Sequence, residues 1–171
     1  HKLLTHGSVM FIYGEAGTFK SWLVEDLAAA LVTGGRWLLY KAQPSRVLIL
    51  NTELPKAEYQ NRTRLFMQKR NINGASMYNL LIDHSMELKV DMPQGIAELM
   101  VACREVQPDV LIIDCLYPIV SKDVVTPASA SLVKDSFNLI RAAINCGIVI
   151  VHHARQPLWD SNTGGVVRLG A

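Results

Sequence analysis

Four short stretches carry residue types that together could handle a polyphosphate. The first is Gly14-Glu15-Ala16-Gly17-Thr18-Phe19-Lys20-Ser21. It follows the pattern G-x-x-x-x-G-K-[ST], except that Phe19 stands where the last glycine belongs. A glycine-containing loop between a strand and a helix turns successive backbone N–H groups toward an anion, and the helix N-terminus adds its own. Lys20 supplies a positive charge that reaches β- and γ-phosphates, and the Ser21 hydroxyl is an oxygen ligand suited to Mg²⁺. The plainer alternative is an ordinary strand-to-helix turn with a solvated lysine.

The second stretch ends an apolar run, 110–114, with Asp114. A carboxylate there can hold a water of the Mg²⁺ shell and accept a hydrogen bond from Ser21, although an Asp at a strand end also serves as a turn former. Cys115 follows it, so the neighbouring position that many phosphate-cleaving sites fill with a general base is not acidic. The third stretch supplies that carboxylate: Glu53, just past the apolar run 47–50, is placed to orient and polarise an attacking water. A solvated loop glutamate is its alternative. The fourth ends the run 148–151 with His152 and His153. Adjacent residues of a strand point to opposite faces, so at most one imidazole should meet nucleotide. His152 is the expected γ-phosphate sensor, and His153 is expected to pack on the far side.

These groups need a scaffold that brings strand ends together. Apolar, β-branched runs at 9–13, 47–50, 78–82, 110–113 and 148–151 predict strands, most of them without polar alternation, as parallel strands covered on both faces require. Helical patterns fall between them at 20–32, 56–69, 93–106 and 127–145. The order β-α-β-α-β-α-β-α-β predicts a doubly wound sheet with its ligand beyond the carboxyl ends of the strands. Each candidate group lies just after one of them.

Composition sets the outer bounds. With 171 residues, half of them hydrophobic, the chain suits one α/β domain over residues 1–171. The formal charge of +2, from 17 basic and 15 acidic side chains, gives no general preference for nucleic acid, so any DNA surface must be local. No apolar run approaches the roughly 20 residues of a transmembrane helix. Cys103, Cys115 and Cys146 are odd in number and widely spaced in apolar sequence, the pattern of reduced core thiols rather than of disulfides or a metal site. With no signal-peptide pattern, a cytoplasmic location without membrane contact is expected. The start at His1 and the loop-like end suggest a piece of a longer polypeptide.

Taken in order, the phosphate loop, Glu53, Asp114 without a following Glu, and the His pair resemble the RecA-like P-loop ATPases. The likeness is closer to the RepA-like branch, related to hexameric replicative helicases of plasmids, phages and bacteria, in which Phe is a familiar occupant of the position of Phe19. It covers residues 7–155. The resemblance implies a three-layer α/β/α fold with a mostly parallel central sheet, truncated at the C-terminus. It further implies Gly14 to Ser21 as the ATP site, Ser21 and Asp114 at Mg²⁺, Glu53 as catalytic carboxylate and His152 as sensor. Arg62 looks like the basic residue of the helix after the catalytic Glu. An ATPase acting on single-stranded or duplex DNA in replication or recombination, as a hexameric ring or filament of identical chains, is the implied activity. A nucleotide-gated regulator that switches protein partners without moving on DNA is the alternative. The family continues past the His pair with a DNA-facing loop and a basic residue that acts in trans. Arg155 stands near that position and reads equally as finger, sensor or DNA contact.

Overall fold

The computed structural model describes residues 3–72, 74–84, 88–121, 127–153, 158–160 and 165–167. Strand β1 (Val9–Gly14) leads through the phosphate loop into α1 (Lys20–Thr33). A small antiparallel hairpin, β2 (Arg36–Trp37) and β3 (Tyr40–Lys41), precedes β4 (Val47–Asn51). Next come α2 (Lys56–Lys69), the single turn α3 (Gly74–Met77) and β5 (Leu80–Asp83). Then α4 (Pro93–Val106), β6 (Val110–Asp114), α5 (Pro127–Ile144) and β7 (Gly147–His153) complete the main body. Strands β8 (Leu158–Asp160) and β9 (Gly165–Val167) pair antiparallel with each other.

The central sheet has five parallel strands in the order β1-β7-β6-β4-β5. Side-chain alternation along them makes three layers. Leu48, Leu50, Leu111, Ile113, Ile148 and Ile150 pack with Leu99 of α4 and Phe137 and Ile140 of α5. Val47, Ile49, Val110, Ile112, Val149 and Val151 pack on the other face with Val24 and Leu27 of α1 and Tyr59 of α2. Both faces are covered, which is why these strands read as continuous apolar runs. The predicted strands and helices all appear, within a few residues of the expected ends.

The hairpin after α1 was not expected. Trp37 ties it down, buried and donating from Nε1 to the Leu23 carbonyl at 3.1 Å. The predicted strand at 78–82 begins later, at Leu80, because residues 78 and 79 form the turn leaving α3. Among the described residues no helix is long and apolar enough to cross a membrane. All three cysteines are buried and free, as expected of core thiols.

Candidate active site

The carboxyl ends of β1, β4, β6 and β7 converge, because parallel pairing places Asn51 beside Asp114 and Tyr13 beside His152. The phosphate loop follows β1. Gly17 takes a positive φ of 77°, and so does Phe19 at 60°, directly before the first turn of α1. A side chain at Gly14 would press on the Thr18 hydroxyl, its Cβ only 3.2 Å from Oγ1. The loop closes around Lys20, whose Nζ donates to the Glu15 carbonyl at 2.6 Å and lies 3.4 Å from Thr18 Oγ1. Lys20 is otherwise buried, so its ammonium is held within the loop instead of ranging through solvent.

One residue on, the Ser21 hydroxyl donates to Asp114 Oδ1 at 3.1 Å, the contact that the sequence led us to expect. It joins the first turn of α1 to the end of β6. Asp114 is almost completely buried. Burial pushes its carboxyl above the usual range, the Ser21 hydrogen bond pulls it back, and the charge of Glu53 raises it again. A cation beside Asp114 would favour its ionised form. The donors here, a hydroxyl and a carboxylate, are hard oxygens that fit Mg²⁺.

Thr52 builds the neighbouring corner. Its N–H donates to the Asp114 carbonyl at 2.9 Å. Its hydroxyl donates to the Cys115 carbonyl at 2.7 Å and accepts from the Cys115 N–H at 2.8 Å. This buried latch holds the residue after β4 against the residue after β6, and so sets Glu53 next to Cys115. The Cys115 thiol donates to Glu53 Oε1 at 3.2 Å. Burial, then the adjacent Glu53 charge, pushes that thiol up to about 12, so it stays protonated at neutral pH. Neither Thr52 nor Cys115 was singled out by sequence as part of the site. A polar residue just past a strand end, one before the carboxylate, was the available signal for Thr52.

The His pair requires a correction. His153 was expected to pack away from the site, yet its Nε2 lies 2.8 Å from the same Glu53 Oε1. Val149 and Val151 face α1 and α2, so His153, two residues further along the strand, lies on the phosphate-loop side. His152 instead falls with Ile148 and Ile150 on the opposite face, its ring 5.7 Å from that of Tyr13. His152 still feels the loop: burial lowers its pKa first, followed by the charges of His153 and Lys20. Arg62 is also reassigned. Its guanidinium pairs with the buried Glu25 of α1 at 2.7 Å and lies over the rings of Trp22 and Tyr59. Arg155 lies outside the described residues.

A family model described as "AAA domain" matches residues 1–157. No curated protein matches the sequence. Among solved structures, flagellar accessory protein FlaH from Methanocaldococcus jannaschii is similar, with a TM-score of 0.55 at 20% identity. That likeness covers 88% of this chain and 62% of the FlaH chain, so this chain spans less than two thirds of FlaH. At this identity it bears on the fold alone, and it agrees with the RecA-like three-layer arrangement of sheet and helices.

Proposed function

The chain belongs to the AAA domain family, and from that premise we propose that it binds Mg²⁺-ATP at the phosphate loop and hydrolyses it to drive work on DNA, in replication or recombination. The observation that carries the nucleotide half is the Ser21–Asp114 hydrogen bond, with Glu53 fixed beside it by two donors. A hydroxyl bonded to a buried carboxylate at the end of a phosphate loop is what a nucleotide-bound divalent cation needs. A turn former would leave Asp114 in solvent.

The chain's own groups divide the chemistry among them. Backbone N–H groups of residues 14–21 and the Lys20 ammonium hold and neutralise the phosphates. Ser21 and Asp114 would hold Mg²⁺, which when bound would supply positive charge to offset that of the phosphates. Glu53 accepts hydrogen bonds at Oε1 from His153 and Cys115, which leaves Oε2 to take a hydrogen bond from water and steer it toward the γ-phosphorus. Since His153 touches that carboxylate, loss of the γ-phosphate is passed on through it as a change in the strength of one hydrogen bond. His152, beside Tyr13, remains a second candidate for sensing through its nearness to Lys20.

The DNA half is supported by the order of the four stretches, which resembles helicase-related ATPases, and the likeness to FlaH adds nothing to it. Calorimetric titration with Mg²⁺-ATP tests the nucleotide half. Lys20→Ala should lose most affinity, Asp114→Asn should weaken the Mg²⁺ dependence, and Glu53→Gln should keep binding while turnover falls roughly a hundredfold or more. Tight binding by Lys20→Ala would remove the phosphate-loop assignment. Single-stranded DNA should raise the turnover of the parent. Turnover indifferent to any DNA would favour a nucleotide-gated switch between protein partners.

A further inference from the structure

Glu53, Cys115 and His153, which the proposed hydrolysis uses only as a hydrogen-bonded group, also form a set of potential metal donors. One atom from each, a carboxylate oxygen, Sγ and an imidazole nitrogen, lies within 4.8 Å of the other two. The carboxylate oxygen is already 3.2 Å from Sγ and 2.8 Å from Nε2. Around a tetrahedral zinc ion, ligand atoms of these types sit about 3.3 to 3.6 Å apart, given their usual bond lengths. Shifts of about an ångström would therefore close the three donors on one ion, with the fourth position left open. From this geometry we propose that the cluster is a binding site for a thiophilic divalent cation of the zinc class, separate from the Mg²⁺ position at Ser21 and Asp114.

The donor types make the separation chemical. A thiolate with an imidazole prefers zinc and discriminates against magnesium, whereas the hydroxyl and carboxylate of Ser21 and Asp114 have the reverse preference. The site is also accessible from solvent on one side. The Glu53 side chain is 36% exposed and that of His153 27%, over a fully buried Cys115. The Thr52 latch fixes the Cys115 backbone, so the thiol is presented by a rigid corner rather than a loose loop. Binding is a substitution. The ion replaces the thiol proton, which leaves to solvent, and the imidazole proton moves from Nε2 to Nδ1 so that the Nε2 lone pair can coordinate.

A captured ion would take over Oε1 of Glu53, so it should slow hydrolysis without blocking nucleotide binding. This consequence rests on the reading of Glu53 as the hydrolytic carboxylate, whereas the binding itself does not. Cobalt titration of the chelator-stripped full chain tests the site, because a four-coordinate cobalt thiolate gives a near-ultraviolet charge-transfer band and intense visible bands. We expect one equivalent to bind with that spectrum, and zinc to displace it. Cys115→Ser should lose the band while Cys103→Ser and Cys146→Ser keep it. His153→Gln should weaken zinc binding at least about tenfold, since even outer-shell changes cost that much. Circular dichroism of each variant checks folding. Absence of the band in the parent, or its persistence in folded Cys115→Ser, overturns the proposal. If zinc binds one to one yet Mg²⁺-ATP turnover is unaffected, the metal site stands and the role assigned to Glu53 falls.

Discussion

Glu25 shows what a single buried charge costs and how it is managed. It sits one helical turn beyond Ser21 on α1, fully buried, with the Arg62 guanidinium at 2.7 Å. Burial raises its pKa, the Arg62 charge and hydrogen bond lower it, and Asp114 raises it again, for a net upward shift. Removing one partner of a buried pair typically costs about 3–5 kcal/mol, because the remaining charge is uncompensated. Arg62→Met should therefore destabilise the fold by about that much near neutral pH. The sign with pH follows from the raised folded pKa. Over the window that opens at the ordinary glutamate value, the folded state binds more protons than the unfolded one. The contribution of Glu25 is thus complete below that window and is lost as pH rises through it. Without Arg62 the folded pKa climbs further, so the penalty of Arg62→Met should shrink as the solution is acidified and Glu25 takes up a proton. Urea unfolding of parent and variant at about pH 5 and about pH 7 measures this, and an equal penalty at both would remove Glu25 as the cause. The sequence offered Arg62 only as a basic residue after Glu53. Its partner is 37 positions away on another helix, beyond the reach of any local pattern.

At the scale of elements, the junction of β1 and α1 explains the one irregular letter in the phosphate loop. Position 19 has φ 60° and ψ 24°, a left-handed conformation that glycine adopts freely and that costs other residues about 1–2 kcal/mol. The Phe19 ring gives little back, since the residue is 74% exposed. Phe19→Gly should raise the unfolding free energy by up to about 1 kcal/mol, the relieved strain less the extra freedom glycine gives the unfolded chain. Phe19→Val, branched at Cβ, should lower it. Thermal unfolding of the two variants checks the pair, and a loss of stability in Phe19→Gly would mean that the ring makes contacts that outweigh the strain. The sequence marked Phe19 as a departure from the pattern, and the backbone angle supplies the reason glycine is usual there. The β2–β3 hairpin was not legible, because two-residue strands leave no periodicity to read, although the buried Trp37 ties it to α1.

The molecule as a whole gathers its reactive groups from four strands onto one edge of the sheet, and this arrangement sets a limit on turnover by a single chain. Of the cations that reach the site among the described residues, Lys20 is held within the phosphate loop and Arg62 is committed to Glu25. A basic group supplied from a neighbouring chain contributes about 10³ to 10⁵ in rate at comparable phosphoryl-transfer sites. Dilute chain, shown to be monomeric by light scattering, should therefore bind ATP but hydrolyse it slowly, with specific activity rising as assembly proceeds. Rapid turnover that does not change with concentration would place the missing cation within one chain. The sequence by itself determined the alternation of strands and helices, the phosphate loop, and the placement of Glu53, Asp114 and the His pair at or just past strand ends, because hydrophobic periodicity and chain direction are local properties. It did not determine which imidazole meets Glu53. Residues 147–151 are apolar throughout, so either face of that strand could have turned toward α1. Only the packing of Val149 and Val151 against Val24 and Leu27, with Ile148 and Ile150 against Phe137 and Ile140, decides the parity that carries His153 to the site.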